Sequence, residues 1–213
     1  RCIPAQGENR PLIVFNTVMG DGGRACAGDA GDGCAGLQSA GGRKASVVSR
    51  YDAVELSAAV EAGSGCYGRS GCLSGDIGVG NRAGSQEKIR GSAPYVGIAG
   101  YSLAGLFALY AMYRCDCFAW VASMSGSLWF PKFREYVLRH ELMRQPEMLY
   151  MSLGDAEAKT KHAVLKTVQE NTEAIVRHYQ EVGVDVRWEL NPGNHFRDVA
   201  MRSAKGIKAI LEA

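Results

Sequence analysis

The chain is predicted to fold as an α/β protein, a mostly parallel sheet with helices on both faces. Three observations predict it. From about residue 92, apolar runs of strand length alternate with longer runs of helical spacing, and such alternation implies parallel strands joined by helical crossovers. Within it, Ile98-Ala99-Gly100-Tyr101-Ser102-Leu103-Ala104-Gly105 sets a serine among small residues where a strand gives way to a helix. That is the layout of a nucleophile elbow, in the form G-x-S-x-A. Third, Gly154-Asp155 and Asn194-His195 each follow a strand-like run. In a parallel sheet they meet Ser102 at the carboxyl ends of the strands, where sites of such sheets lie.

The elements follow in order. Residues 11–16 read as a strand, with Thr17-Val18-Met19-Gly20 as the loop after it. Residues 95–99 are a buried apolar strand, 103–113 an apolar helix, 118–123 a strand, 133–142 an amphipathic helix and 148–153 a strand. Residues 160–182 carry Val164, Leu165, Val168, Ile175, Val176 and Tyr179 at helical spacing, which predicts one long helix. Residues 184–190 read as a strand, and Val199–Leu211 closes the chain as a helix. The elbow has a physical cause. A serine on so sharp a turn needs small residues two before and two after it. The turn lifts the hydroxyl clear of the sheet, and the N–H groups of the next helix face any oxyanion formed there. The bland alternative for Ser102 is a helix cap.

Residues 24–88 break the pattern. They hold more than half of the 27 glycines and four of the seven cysteines, Cys26, Cys34, Cys66 and Cys72. Apolar runs of strand length are nearly missing there, and helix signal is confined to 53–61. Such composition rarely buries enough surface to offset its ordering entropy. A single domain over 1–213 is expected, with 24–88 as an irregular segment. Net charge is +2, from 24 basic and 22 acidic residues, which argues against a nucleic-acid binder working by broad electrostatics. No apolar run reaches membrane-spanning length, so no membrane partner is expected. The cysteines form no CxxC pair, and in a chain expected to be cytoplasmic their odd number predicts free thiols. Cys115 and Cys117 are too close in sequence for an ordinary disulfide and are expected to flank a strand start. Gly20-Asp21-Gly22-Gly23 lacks the Lys-Ser/Thr of a phosphate loop, and no cluster has metal-ligand spacing, so no cofactor is expected. The chain opens on Arg1 rather than Met, which predicts a fragment or an incomplete gene product.

From about residue 93 the chain resembles the α/β-hydrolase esterases of the siderophore-esterase and esterase D kind. The resemblance rests on Gly-Ile-Ala-Gly-Tyr-Ser-Leu-Ala-Gly-Leu-Phe-Ala-Leu-Tyr (97–110), Ser-Gly-Ser-Leu-Trp-Phe-Pro (125–131), Ser-Leu-Gly-Asp (152–155) and Asn-Pro-Gly-Asn-His-Phe (191–196). It also covers residues 11 to about 22, and it does not cover 24–88. That gap predicts a segment translated out of frame. Shifted by one base, the codons of Tyr51-Asp52-Ala53-Val54-Glu55-Leu56-Ser57 can encode Met-Thr-Pro-Trp-Asn-Cys-Pro. Those of residues 67–74 can likewise encode Thr-Gly-Ala-Ala-Asp-Ala-Tyr-Leu. Both strings look like what these esterases carry before the elbow strand. A genuine Gly-rich insertion is the other account.

The resemblance implies an α/β-hydrolase fold and hydrolysis of a small-molecule ester, with a nucleophile, acid and base in the chain order Ser…Asp/Glu…His. Ser102 is the nucleophile and His195 the base; His140, His162 and His178 fall on predicted helices. Two carboxylates compete for the acid. Asp155, directly after its strand, is favoured; Glu157 on the same loop is the alternative. Asp198 lies beyond the base in chain order, though near enough to orient its ring. The oxyanion donors are the backbone N–H of Leu103 and one near Val18, and Tyr101, Ser127 and Trp129 are expected at the substrate pocket. Readings that compete with hydrolysis are acyl transfer and a disrupted homologue that at most binds a partner.

Overall fold

The computed structural model describes residues 2–3, 12–16, 46–50 and 96–212. The strands are β1 (Cys2–Ile3), β2 (Leu12–Asn16), β3 (Ser46–Arg50), β4 (Val96–Tyr101), β5 (Trp120–Met124), β6 (Met148–Gly154) and β7 (Val186–Asn191). The helices are α1 (Leu103–Ala111), α2 (Phe133–Arg139), α3 (Val168–Glu181) and α4 (Val199–Leu211). The strands form one sheet in the order β1-β3-β2-β4-β5-β6-β7. Every pairing is parallel except that of β1 with β3.

Alternation along the strands sorts the core into two layers. Ile98, Val121, Leu149 and Met151 face one way, against Leu106, Phe107 and Leu109 of α1, Val137 of α2 and Ile175 and Tyr179 of α3. Ala99, Trp120, Ala122 and Tyr150 face the other way, against Ile207, Ile210 and Leu211 of α4. Helices therefore cover both faces, as the alternating pattern predicts. In α4, Ile207, Ile210 and Leu211 are fully buried, each worth roughly 1.5–3 kcal/mol of burial. That load holds α4 against the sheet below the site.

Three elements differ from expectation. β3 lies inside the segment read as lacking strands. Its only apolar pair is Val47-Val48, too short to register as a run, and its register along β2, Leu12 opposite Ser46 through Asn16 opposite Arg50, supplies the partner. The helix expected over 160–182 begins only at Val168, after a single 3-10 turn at Leu165–Thr167. Thr160 Oγ1 accepts the His162 N–H at 3.2 Å, and His162 Nδ1 accepts those of Val164 and Leu165 at 3.3 and 3.4 Å. These local bonds compete with the helical ladder. The helix expected over 133–142 stops at Arg139, where His140 turns extended, with its ring against the Tyr136 carbonyl and stacked on the Tyr136 ring. The expectation of free thiols fails at one place, for Cys115 and Cys117 are joined as a disulfide across the turn after α1, Cα atoms 5.5 Å apart. That separation is within ordinary disulfide reach despite the short loop.

The out-of-frame account of 24–88 and the helix signal at 53–61 concern residues outside those described, β3 excepted.

Candidate active site

The site begins with the turn between β4 and α1. Ser102 sits there at φ 62°, ψ −125°, a left-handed setting that a side chain rarely adopts. Its N–H donates to the Met124 carbonyl at 3.0 Å, and its own carbonyl accepts from Gly105, Leu106 and Ser127 N–H. These bonds over-determine the strained residue. Gly100 shows why the elbow needs a bare backbone, since a Cβ there would lie 2.2 Å from the Ala104 carbonyl oxygen. Gly100→Ala is therefore expected to destabilise by about 3 kcal/mol or more, read as a fall in Tm on the order of 10 °C. An unchanged melting curve would contradict the elbow as described.

The other groups arrive on the loops after β6 and β7. His195 Nε2 lies 3.0 Å from Ser102 Oγ, and Nδ1 lies 2.7 Å from Glu157 Oε2. An ionised Glu157 only accepts, so Nδ1 carries the proton and Nε2 is left to accept from the serine hydroxyl. The carboxylate on the His195 ring is thus Glu157, not the favoured Asp155. Asp155 is exposed, and its Oδ1 accepts the Gly193 N–H at 2.8 Å. It ties the two loops together, while Glu157, two residues on, turns back under them. Asp198 is also turned away from the ring; it pairs with Arg197 at 3.4 Å on the surface.

Glu157 is held from several sides, its side chain only 4% exposed. Its Oε1 accepts from Ser125 Oγ at 2.7 Å, from the Gly154 N–H at 2.6 Å and from Arg202 at 3.0 Å. Burial pushes its carboxyl up, but the hydrogen bonds from His195, Ser125 and Gly154 outweigh that and hold it below the ordinary 4.5. The sign follows by linkage. A lowered folded value means the contribution to stability is complete above about pH 4.5 and is lost as pH falls through the folded value. The Tm gap between the wild type and Glu157→Gln is expected to be constant at neutral pH and to narrow below about pH 4.5. A gap independent of pH would contradict an ionised, buried Glu157.

Tyr101, expected at the pocket, is tied to His195 instead. Its hydroxyl donates to the His195 carbonyl at 2.8 Å, and its ring lies 5.5 Å from the imidazole. Ser127 is buried, with its Oγ 3.3 Å from Ser102 Oγ. With the Ser102 proton given to His195, Ser127 is the donor of that pair. Trp129 is half-buried in the turn after β5. The Leu103 N–H opens α1 and has no acceptor among the described residues, as an oxyanion donor requires. Val18 lies outside the described residues; β2 ends at Asn16, in register with Gly100 beside the elbow. His178 lies on α3, whereas His140 caps α2 and His162 lies in the turn before α3. Among the described residues no three of His, Cys, Asp and Glu gather as a metal site, and no helix is long and apolar enough to cross a membrane.

Sequence reasoning missed Ser125 and Arg202. Ser125 opens the string at 125–131 and follows a strand, but nothing in the sequence marks it as a partner of the site. Arg202 does give one, since it lies four and eight residues before Gly206 and Ile210 on the buried stripe of α4. A lone charge on an apolar stripe calls for a partner.

No protein-family model matches the chain, and no curated protein matches it. Solved structures do resemble it. The enterobactin esterase FES from Shigella flexneri, crystallised with 2,3-dihydroxy-N-benzoyl-glycine, superposes with a TM-score of 0.66 at 19% identity, covering 95% of this chain and 53% of that one. This chain thus spans about half of that esterase. The siderophore hydrolase EstB from Aspergillus nidulans gives 0.57 at 16% identity, over 96% and 84% of the two chains. A point variant of SOBER1 from Arabidopsis thaliana gives 0.53 at 16%, over 95% and 98%. At such identities the likeness is one of fold. With its mostly parallel sheet, elbow serine and loop histidine, the chain has the α/β-hydrolase fold.

Proposed function

We propose that this chain is a serine hydrolase of carboxylic esters, working through an acyl-enzyme on Ser102. The observation that carries the reading is the line of hydrogen bonds from Ser102 Oγ through His195 to Glu157, at 3.0 and 2.7 Å. Ser102 Oγ attacks the ester carbonyl carbon as His195 Nε2 takes its proton. The charge that develops on the carbonyl oxygen meets the Leu103 N–H and the positive end of α1. His195 returns the proton to the leaving alcohol, and water then repeats the sequence on the acyl-enzyme. Glu157 holds the ring and offsets the imidazolium charge as it forms.

The proposed substrate class is a siderophore lactone or a small acyl ester. It rests on the names of the esterases that share the fold and on the motifs at 97–110 and 191–196. The test mixes purified protein with 4-nitrophenyl acetate, and separately with a serine trilactone siderophore. A burst of about one 4-nitrophenol per protein followed by turnover, and carboxylate release from the trilactone, are expected. Turnover of the acetate alone would restrict the class to small acyl esters, and ester formed with an added alcohol in place of acid would make it an acyltransferase.

A further inference from the structure

Arg202 is 4% exposed and sits on the helix that covers the sheet face opposite α1. A guanidinium so buried needs partners, because an unpaired charge in that setting is costly. Its partners come from three separate loops. One terminal nitrogen donates to Glu157 Oε1 at 3.0 Å and also to Ser125 Oγ. The other donates to the Asn194 carbonyl at 3.2 Å. The guanidinium carbon lies 5.5 Å from the centre of the Tyr101 ring, whose hydroxyl holds the next carbonyl, that of His195. The turn bearing the base is thus pinned at each residue: Gly193 N–H by Asp155, the Asn194 carbonyl by Arg202 and the His195 carbonyl by Tyr101. Of these three groups, only Arg202 also bonds Glu157. Its planar fork suits that double task, which an ammonium on a flexible stem performs less well.

We propose that Arg202 is a positioning residue of the active site, joining Glu157 and the backbone before His195 so that carboxylate and imidazole keep their contact. This rests on the hydrolase reading above. The guanidinium touches neither the reacting atoms nor Ser102; it acts through Glu157 and the turn. Occupying Oε1 from behind leaves Oε2 as the one oxygen free for the imidazole.

The test compares wild type, Arg202→Lys, Arg202→Gln, Arg202→Met, Glu157→Gln and the Met/Gln double variant. Steady-state kinetics with 4-nitrophenyl acetate are set beside the low-field proton signal of His195 Nδ1. Arg202→Met is expected to lower kcat roughly 100-fold, the scale of a small misplacement of a catalytic group, with KM within about threefold. Arg202→Lys recovers about tenfold of that loss, since the ammonium still reaches Glu157. Added to Glu157→Gln, Arg202→Met costs less than about threefold more, because both act through one contact. The proton signal is sharp in wild type and Arg202→Lys, and broadened or lost in Arg202→Met. Unchanged kcat and signal in Arg202→Met, or its full loss on top of Glu157→Gln, would overturn the proposal. If Arg202→Met does not fold, Arg202→Gln takes its place under the same criteria. If wild type turns over no ester, the hydrolase reading fails, and the proton signal still decides the role of Arg202.

Discussion

Ser102→Ala is expected to lower kcat for a short acyl ester by about 10⁶-fold, the scale set by removal of a serine nucleophile. Removal of His195 is expected to cost about as much, since the two act as a unit. His195, Glu157 and the oxyanion donors stay in place, yet they have no atom to acylate. Folding is expected to be little affected. The lost hydroxyl bonds a ring that is 28% exposed, where water replaces it. Ser102→Gly separates the two roles of the position. It is equally inactive, but it relieves a side chain held at φ 62° and should be more stable by about 1 kcal/mol. Kinetics and thermal melts of the two variants check both halves. Residual activity in either one above about a thousandth of wild type would move the nucleophile elsewhere.

Glu157→Gln is expected to lower kcat by about 10³- to 10⁴-fold, and Asp155→Asn by less than about tenfold. The size of the first effect follows from the neighbours of Glu157. Three donors converge on Oε1: Ser125 Oγ–H, the Gly154 N–H and the Arg202 guanidinium. An amide placed there must turn its oxygen to them and its NH₂ toward His195. Nδ1 then has to accept, the ring proton moves to Nε2, and Nε2 can no longer take the proton of Ser102. The ring stays in place, but its tautomer is wrong. Asp155→Asn keeps an oxygen for the Gly193 N–H, so the tie between the loops survives. A greater loss in Asp155→Asn than in Glu157→Gln would restore Asp155 as the acid.

The choice between these carboxylates marks how far the sequence could be read. Strand-length apolar runs and helical spacing are local properties, so β4 to β7 and α1, α2 and α4 are legible within a few residues of their ends. The elbow is legible because its steric demand falls on neighbours in sequence, Gly100 and Ala104. The acid is not. Asp155 and Glu157 lie on one loop, and which of them faces His195 depends on how that loop packs against Ser125 and α4, from segments far away in sequence. Arg202 shows itself as a charge on an apolar stripe, but its partners are hidden for the same reason, lying 8, 45 and 77 positions away. The delayed start of α3 has a local cause, the bonds from Thr160 and His162 to nearby N–H groups. Apolar spacing does not register such bonds, because it counts only the stripe. β3 eluded the pattern because two valines make a strand only when β2 lies beside them.

The central claim is that His195 and Glu157 activate Ser102 in the folded chain. The most direct measurement is labelling of purified protein with a fluorophosphonate, the modified residue located by peptide mass spectrometry, with Ser102→Ala and Glu157→Gln alongside. The account predicts one label per chain on Ser102, none in Ser102→Ala and labelling slowed by about 10³-fold or more in Glu157→Gln. A folded wild-type protein that takes no label, or takes it at another residue, would contradict it.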